Sequence, residues 1–235
     1  EICPDDISEV VASVERSAAK EIACYWTNGG LRLYLPDDST SGNTGDKTGA
    51  TEYFFPIKVG LLDIGFYDYQ LLPLLQAVYG GKKRVISYNV KEIMHRLDEL
   101  KIEHLAPFDD VSVLKCIADG LSNSDSLEFC LQYHGLNEKH AAYGLYYLCQ
   151  TYKAALRPAE EKLYEEIELP LVRVLFDMEK QGVCVDGAAL NGFSEKYSAE
   201  LRDLTEKIYG LAGECFNVNS TQQLGKILFE KLRIG

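Results

Sequence analysis

The chain has 235 residues, 46% of them hydrophobic, and its 36 acidic and 24 basic side chains leave a formal net charge of −12. That length and apolar content support one large domain, or one domain with a helical appendage. The acidic balance argues against a free-standing nucleic-acid binder, because affinity for phosphate rests on Lys and Arg displacing counterions.

The N-terminal stretch EICPDDISEV carries acids where a signal peptide needs a basic flank, and no apolar run approaches the roughly 18 residues of a membrane span. A cytoplasmic chain without a membrane partner is expected. Seven cysteines, Cys3, Cys24, Cys116, Cys130, Cys149, Cys184 and Cys215, are scattered with no CxxC pair and no histidine at zinc-ligand spacing. Reduced thiols are expected, and no metal site.

Residues 6–17 place Ile7, Val10, Val11 and Val14 at helical spacing, with acids early, where the helix dipole favours them. Two short apolar runs, 21–26 and 31–35, flank Thr27-Asn28-Gly29-Gly30, whose Asn-Gly pair suits a tight antiparallel hairpin. The segment 37–51 is dense in Ser, Thr, Gly and Asp, cannot offset its ordering entropy by burial, and is expected to be a mobile loop. A third strand is expected at 52–57, an amphipathic helix at 67–79, a fourth strand at 84–88 and another helix at 90–100. The tract Lys82-Lys83-Arg84 is the one dense basic cluster, and a solvated loop explains it as well as a phosphate site does. From Asp109 the pattern is helical: 109–119, then 126–133, then 138–156. A further helical region begins after Arg157-Pro158, where proline suits a first turn. Strands alternating with helices imply an α/β sheet.

The far end of the chain carries Glu168-Leu169-Pro170-Leu171, Met178-Glu179, Gly182-Val183, Asp186, Phe216-Asn217, Asn219-Ser220 and Leu228-Phe229-Glu230-Lys231-Leu232. Upstream stand Ala19-Lys20-Glu21 before a strand, Asn89 after Tyr88, Asp109, and Asp125-Ser126-Leu127. In this order the chain resembles family A DNA polymerases, at the join between the 3′-5′ exonuclease domain and the polymerase thumb. The resemblance implies a ribonuclease H-like α/β fold, a mixed sheet with flanking helices, over 1–160. An α-helical thumb segment is implied over 161–235. It further implies a DNA primer-template as partner of the complete protein, and Mg²⁺ for a polymerase domain that this stretch does not carry. The segment itself is expected to be monomeric, without a cofactor, and unable to add nucleotides.

Active exonucleases of this kind hold two metal ions about 3.5 to 4 Å apart on four carboxylates, hard ligands that suit Mg²⁺ and Mn²⁺. The family's Asp-x-Glu, counted from Ala19, falls on Tyr25 and Thr27. Its Asn-x-x-x-Asp falls on Asn89 and Ile93, and its Tyr-x-x-x-Asp on His140 and Gly144. All four acids are missing. Sliding the register does not restore the first or third motif, since neither 22–36 nor 139–159 contains an Asp or Glu. Glu92 stands beside the second, but one residue along a helix turns a side chain by about 100°. A lone carboxylate would not organise two metals, so a catalytically silent nuclease fold kept as a scaffold is expected.

Without metals His140 reads as a helix residue. Tyr143, Tyr146 and Tyr147 read as packing that fills a vacated acidic cleft, ahead of base stacking, and Trp26 as core on the face opposite Tyr25. Near the C-terminal end, Ser220 and Gln223 make a capping-box signature. A helix start offers free N–H groups to an anion, and the resemblance implies that Asn217, Asn219, Ser220 and Thr221 contact duplex phosphate. Leu171, Val174, Leu175, Phe193, Tyr197, Leu201 and Leu204 read as helix–helix packing positions. Two other readings stand beside this one: an active nuclease of the RNase D kind, and a non-enzymatic interaction module.

Overall fold

Asp6 closes the start of the first helix, α1 (Ile7–Arg16), by accepting a hydrogen bond from the Ser8 amide at 2.8 Å. This is the N-cap role that a short carboxylate favours, and it turns Val10 and Val14 inward. The structure is a computed structural model describing residues 6–27, 29–36, 50–58, 64–102, 105–119 and 126–234. It divides into two compact units, Glu1–Gln181 and Gly182–Gly235.

In the first unit β1 (Glu21–Thr27) and β2 (Gly30–Leu35) form the expected antiparallel hairpin, with Thr27 opposite Gly30. Asn28 of its turn lies outside the described residues, as do 37–49 of the expected loop and Asp125. β3 (Thr51–Pro56) pairs antiparallel with β2, placing Tyr53 opposite Leu33. The helix expected at 67–79 is divided: a 3-10 turn, Asp68–Leu71, precedes α2 (Leu72–Tyr79), whose first turn holds Pro73. β4 (Arg84–Ser87) then runs parallel to β1, and α3 (Val90–Glu99) follows from Asn89.

One expected helix start is corrected. Asp109 and Asp110 belong to a short strand, β5 (Phe108–Asp110), parallel to β4 with Asp109 opposite Ile86, and α4 (Val111–Asp119) begins only after it. Acids ahead of an apolar-periodic run look like a helix start in sequence, whereas a distant strand holds them extended here. The sheet order is β3-β2-β1-β4-β5, a meander of three antiparallel strands extended by two parallel ones in ribonuclease H-like order. α5 (Leu127–Tyr133) starts at Ser126, whose hydroxyl accepts from the Phe129 amide. α6 (Ala141–Ala155) follows, then α7 (Pro158–Leu163), a π-helical turn (Tyr164–Glu168) and α8 (Leu169–Gln181).

Alternation along β1 sends its side chains to two cores. Ile22, Cys24 and Trp26 join α1, α2 and α3 on one face, while Ala23 and Tyr25 face α4, α5 and α6 on the other. Val172 and Phe176 of α8 pack on Val90 and Met94 of α3. At the rim of that contact Lys91 pairs with Glu179 at 2.5 Å and Lys180 with Asp98 at 2.6 Å. The first unit therefore runs through α8. Leu171, Val174 and Leu175 stand exposed on α8.

In the second unit Asp186 caps the long α9 (Gly187–Ala212), accepting from the amides of Ala188 and Ala189 at 3.0 Å each. Gly213 ends it at φ 70°, a left-handed conformation that glycine adopts without a Cβ penalty. Tyr209 packs on Phe216, and α10 (Thr221–Gly225) leads into a second π-helical turn, Lys226–Lys231. Phe193, Tyr197, Leu201 and Leu204 stand exposed on α9. Among the described residues no helix is long and apolar enough to cross a membrane.

Candidate functional site

Strand geometry decides what faces the cleft beneath α5 and α6. Trp26 turns into the first core under the guanidinium of Arg96, whose centre lies 5.2 Å from the ring centroid. Its neighbour Tyr25 points the other way and donates a hydrogen bond to Glu128 of α5, Oη to Oε1, at 2.8 Å. Burial, and then the Glu128 carboxylate, push the Tyr25 phenol above its ordinary range, so it stays a donor. Burial alone would raise the Glu128 carboxyl, but hydrogen bonds from Ser126, its own amide and Tyr25 bring it below the usual value. Thr27 spends its hydroxyl on the hairpin turn, donating to the Gly30 carbonyl at 3.3 Å and accepting from the Gly29 amide at 3.2 Å. A cavity of about 170 Å³ remains, lined by Tyr25, Thr27, Arg32, Glu128, Leu131 and Glu138 among others.

Gly144 lies on α6 where Leu131 of α5 presses closest. A Cβ built there would overlap the Leu131 side chain, so a side chain at that position would require Leu131 to move. His140, at the start of α6, meets the buried carboxylate of Glu52 on β3, Nδ1 to Oε2 at 2.9 Å. The other Glu52 oxygen accepts from the Ala142 amide at 3.1 Å and so satisfies one of the free N–H groups opening α6. Tyr143 and Tyr146 pack as expected, their rings 5.4 and 5.3 Å from that of Tyr34. Burial, followed by these two neighbours, pushes the Tyr34 phenol up to about 12. Tyr147 is exposed.

The second-motif position does not join this group. Ile93 is buried in the first core, on the sheet face opposite Tyr25. Its neighbour Glu92 is exposed, and its carboxylate accepts from Asn89 Nδ2 at 3.1 Å and pairs with Arg96 at 3.7 Å. Asn89 starts α3 at φ 55°, and that left-handed entry sets which face of the helix each residue occupies. Tyr25, Thr27 and Leu131 line one cavity, Leu131 presses on Gly144, and Ile93 stands apart in the first core. Among the described residues no cluster of three or more His, Cys, Asp or Glu is arranged to hold a metal.

Sequence reasoning missed the ionic knot at β5. The Asp109 carboxylate, fully buried, accepts from Lys153 at 2.6 Å, Arg84 at 3.3 Å and the Tyr164 hydroxyl at 3.0 Å. Asp110 accepts from the amides of Asn89, Val90 and Ser112 at 3.1, 2.7 and 2.9 Å, tying the starts of α3 and α4 to one carboxylate. The adjacent acids were the visible signal, and only the parallel pairing with β4 gives them their role. The basic tract is absorbed into the same architecture: Lys83 donates to the carbonyls of Ser17 and Ala19, and Arg84 to Asp109.

In the second unit the Ser220 hydroxyl accepts from the Gln223 amide at 3.4 Å. The return arm of the capping box goes elsewhere, since Gln223 Oε1 accepts from the Asn217 amide at 2.8 Å. Asn217 Oδ1 in turn accepts from the Asn219 amide at 3.0 Å, which brings the four residues onto one turn with Asn217, Asn219 and Thr221 exposed.

No protein-family model matches the chain. DNA polymerase I of Caldicellulosiruptor bescii is 31% identical over 98% of this chain, which spans 26% of that protein. The thermostable DNA polymerase I of Thermus thermophilus is 37% identical over 55% of this chain and 16% of its own length. DNA polymerase I of Bacillus subtilis is 49% identical over 30% of this chain and 8% of its own. The chain therefore spans about a quarter or less of these curated relatives. Among solved structures, the POL domain of Pol1 from M. smegmatis, in complex with DNA primer-template and dNTP, superposes with a TM-score of 0.62. It covers 100% of this chain and 41% of that one at 17% identity, a likeness of fold.

Proposed function

We propose, for a chain that belongs to the family A DNA polymerases, that residues 1–160 form a 3′-5′ exonuclease-like domain without proofreading activity. Residues 161–235 then open the polymerase region. One observation carries the reading: Leu131 occupies the space that a side chain at position 144 would need. Around it the Tyr25 hydroxyl is bonded to Glu128 and the Thr27 hydroxyl to its own turn. Two-metal hydrolysis requires several convergent carboxylates to neutralise the ions and fix their spacing. Hydroxyl, methyl and glycine at these places supply none of that charge, so the domain acts as a scaffold.

In this reading the complete protein is a DNA-directed DNA polymerase of replication or repair, a cytoplasmic monomer that binds a DNA primer-template. Mg²⁺ serves its polymerase domain, whose residues lie outside this chain. Asn217, Asn219, Ser220 and Thr221 contribute contacts to the duplex backbone, supported by the exposed turn that gathers them. The deciding experiment is excision of a 3′ mismatch by the complete protein with Mg²⁺ or Mn²⁺: none is expected, and excision at the rate of a proofreading enzyme would overturn the reading.

The alternative reading is an active nuclease of the RNase D kind, which would need convergent carboxylates, and among the described residues no cluster of three or more is arranged to hold a metal. Degradation of single-stranded DNA by this chain in Mn²⁺, abolished by Glu92→Gln, would establish it in place of the first.

A further inference from the structure

The helix from α7 to α8 must satisfy two distant partners with one face. Tyr164 is 2% exposed, and its hydroxyl both donates to Asp109 Oδ1 at 3.0 Å and accepts from the Asp110 amide at 3.1 Å. Val172, 7% exposed, packs on Val90 and Met94 of α3. In an undisturbed α-helix the step from Tyr164 to Val172 would leave the two side chains about 80° apart. The π-helical turn Tyr164–Glu168 lies between them, and within it the Leu169 amide reaches the Tyr164 carbonyl, five residues back. A wider turn rotates less per residue, and it brings both side chains to the buried face.

We propose that Tyr164 is a register key: its hydroxyl, held in the buried knot of Asp109 and Asp110, maintains the π-helical turn and thereby sets the rotation of α8 against α3. Such wider turns are rare and occur mostly as single turns inside α-helices, so this one needs tertiary contacts to hold it. The compensating contacts here are the two bonds of one hydroxyl. Releasing them lets the turn close to α pitch, which rotates α8 and withdraws Val172 from α3 together with Glu179 and Lys180 from their partners. The inference concerns the helix alone and does not depend on whether the cleft is silent.

A double-mutant cycle on this chain tests it. Val172→Ala by itself should lower the folding constant about tenfold, from lost burial and a residual cavity. In a Tyr164→Phe background, which keeps the ring and removes the hydroxyl, the same change should have almost no further effect. The two sites lie about 12 Å apart along the helix, a separation beyond which independent substitutions normally add. Equal losses in both backgrounds would overturn the proposal. If Tyr164→Phe does not fold, deletion of Glu165, an exposed residue of the wider turn, serves instead. It should cause faster amide exchange across 169–181, and a deletion variant with exchange unchanged there would equally overturn it.

Discussion

Leu131 and Gly144 share one side chain's worth of space: the leucine from α5 lies where a Cβ on α6 would have to be. Overpacking of a closed core costs about 1 to 3 kcal/mol, so Gly144→Ala should lower stability by that amount in urea unfolding. Gly144→Asp should cost more, because a charge is buried as well. Leu131→Ala should be destabilising alone yet partly rescue Gly144→Ala, and strictly additive losses would show that the two do not compete for space.

A silent cleft predicts that this chain with Mn²⁺ leaves single-stranded DNA intact, read on an end-labelled oligonucleotide. The complete protein should likewise extend a 3′-mismatched primer without first excising it. Adding Tyr25→Asp and Thr27→Glu should not create cleavage, because the position at Gly144 stays closed.

Tyr25→Phe removes the hydrogen bond to Glu128 while keeping the ring. The loss should be about 1 kcal/mol, the net worth of such a bond at a half-buried carboxylate. With that donor gone the Glu128 carboxyl should titrate higher than in the parent, measurable by NMR of its carboxyl carbon.

Much of this was readable from local signals. Asp6, Ser126 and Asp186 announce helix starts because capping is a matter of a few neighbouring atoms. Asn28-Gly29 announces the hairpin because the turn needs particular backbone angles. Asp109 and Asp110 carry the same local signal as those caps, and only β4, more than twenty residues upstream, makes a strand of them. The cleft divides the same way. The missing carboxylates are a property of residue identity and can be counted, but that Ile93 turns into the first core, on the face opposite Tyr25, depends on how α3 enters at the left-handed Asn89 and packs. That Leu131 fills position 144 is a contact between two helices, which no spacing rule encodes.

Acidification should loosen α8 from α3. Lys180 holds the Asp98 carboxyl below its ordinary value, and Lys91 with His95 holds Glu179 below its own. A carboxyl whose folded pKa is depressed contributes stability above its unfolded pKa and loses it as pH falls through the folded one. The urea midpoint should therefore drop as pH falls below about 5, by less in an Asp98→Asn, Glu179→Gln variant. Both groups are exposed, so the effect should be modest and shrink in high salt; an identical drop in parent and variant would exclude these pairs as its source.

Asn219→Ala with Ser220→Ala in the complete protein should weaken primer-template binding at fixed salt and leave sequence preference unchanged, because phosphate contacts carry no sequence information. Fluorescence anisotropy with two unrelated duplexes would check both halves, and unchanged affinity would remove these residues from the interface.

Glu52 gives the outer strand of the sheet a second occupation. One of its oxygens opens α6 at the Ala142 amide while its backbone pairs with Tyr34 across the β2–β3 ladder. Peeling β3 from the edge therefore uncaps a helix on the far side of the cleft wall. An edge strand and a helix start, elements prone to fray, are thus tied to one side chain, and hydrogen exchange at Tyr53 and Ala142 should report one shared opening free energy.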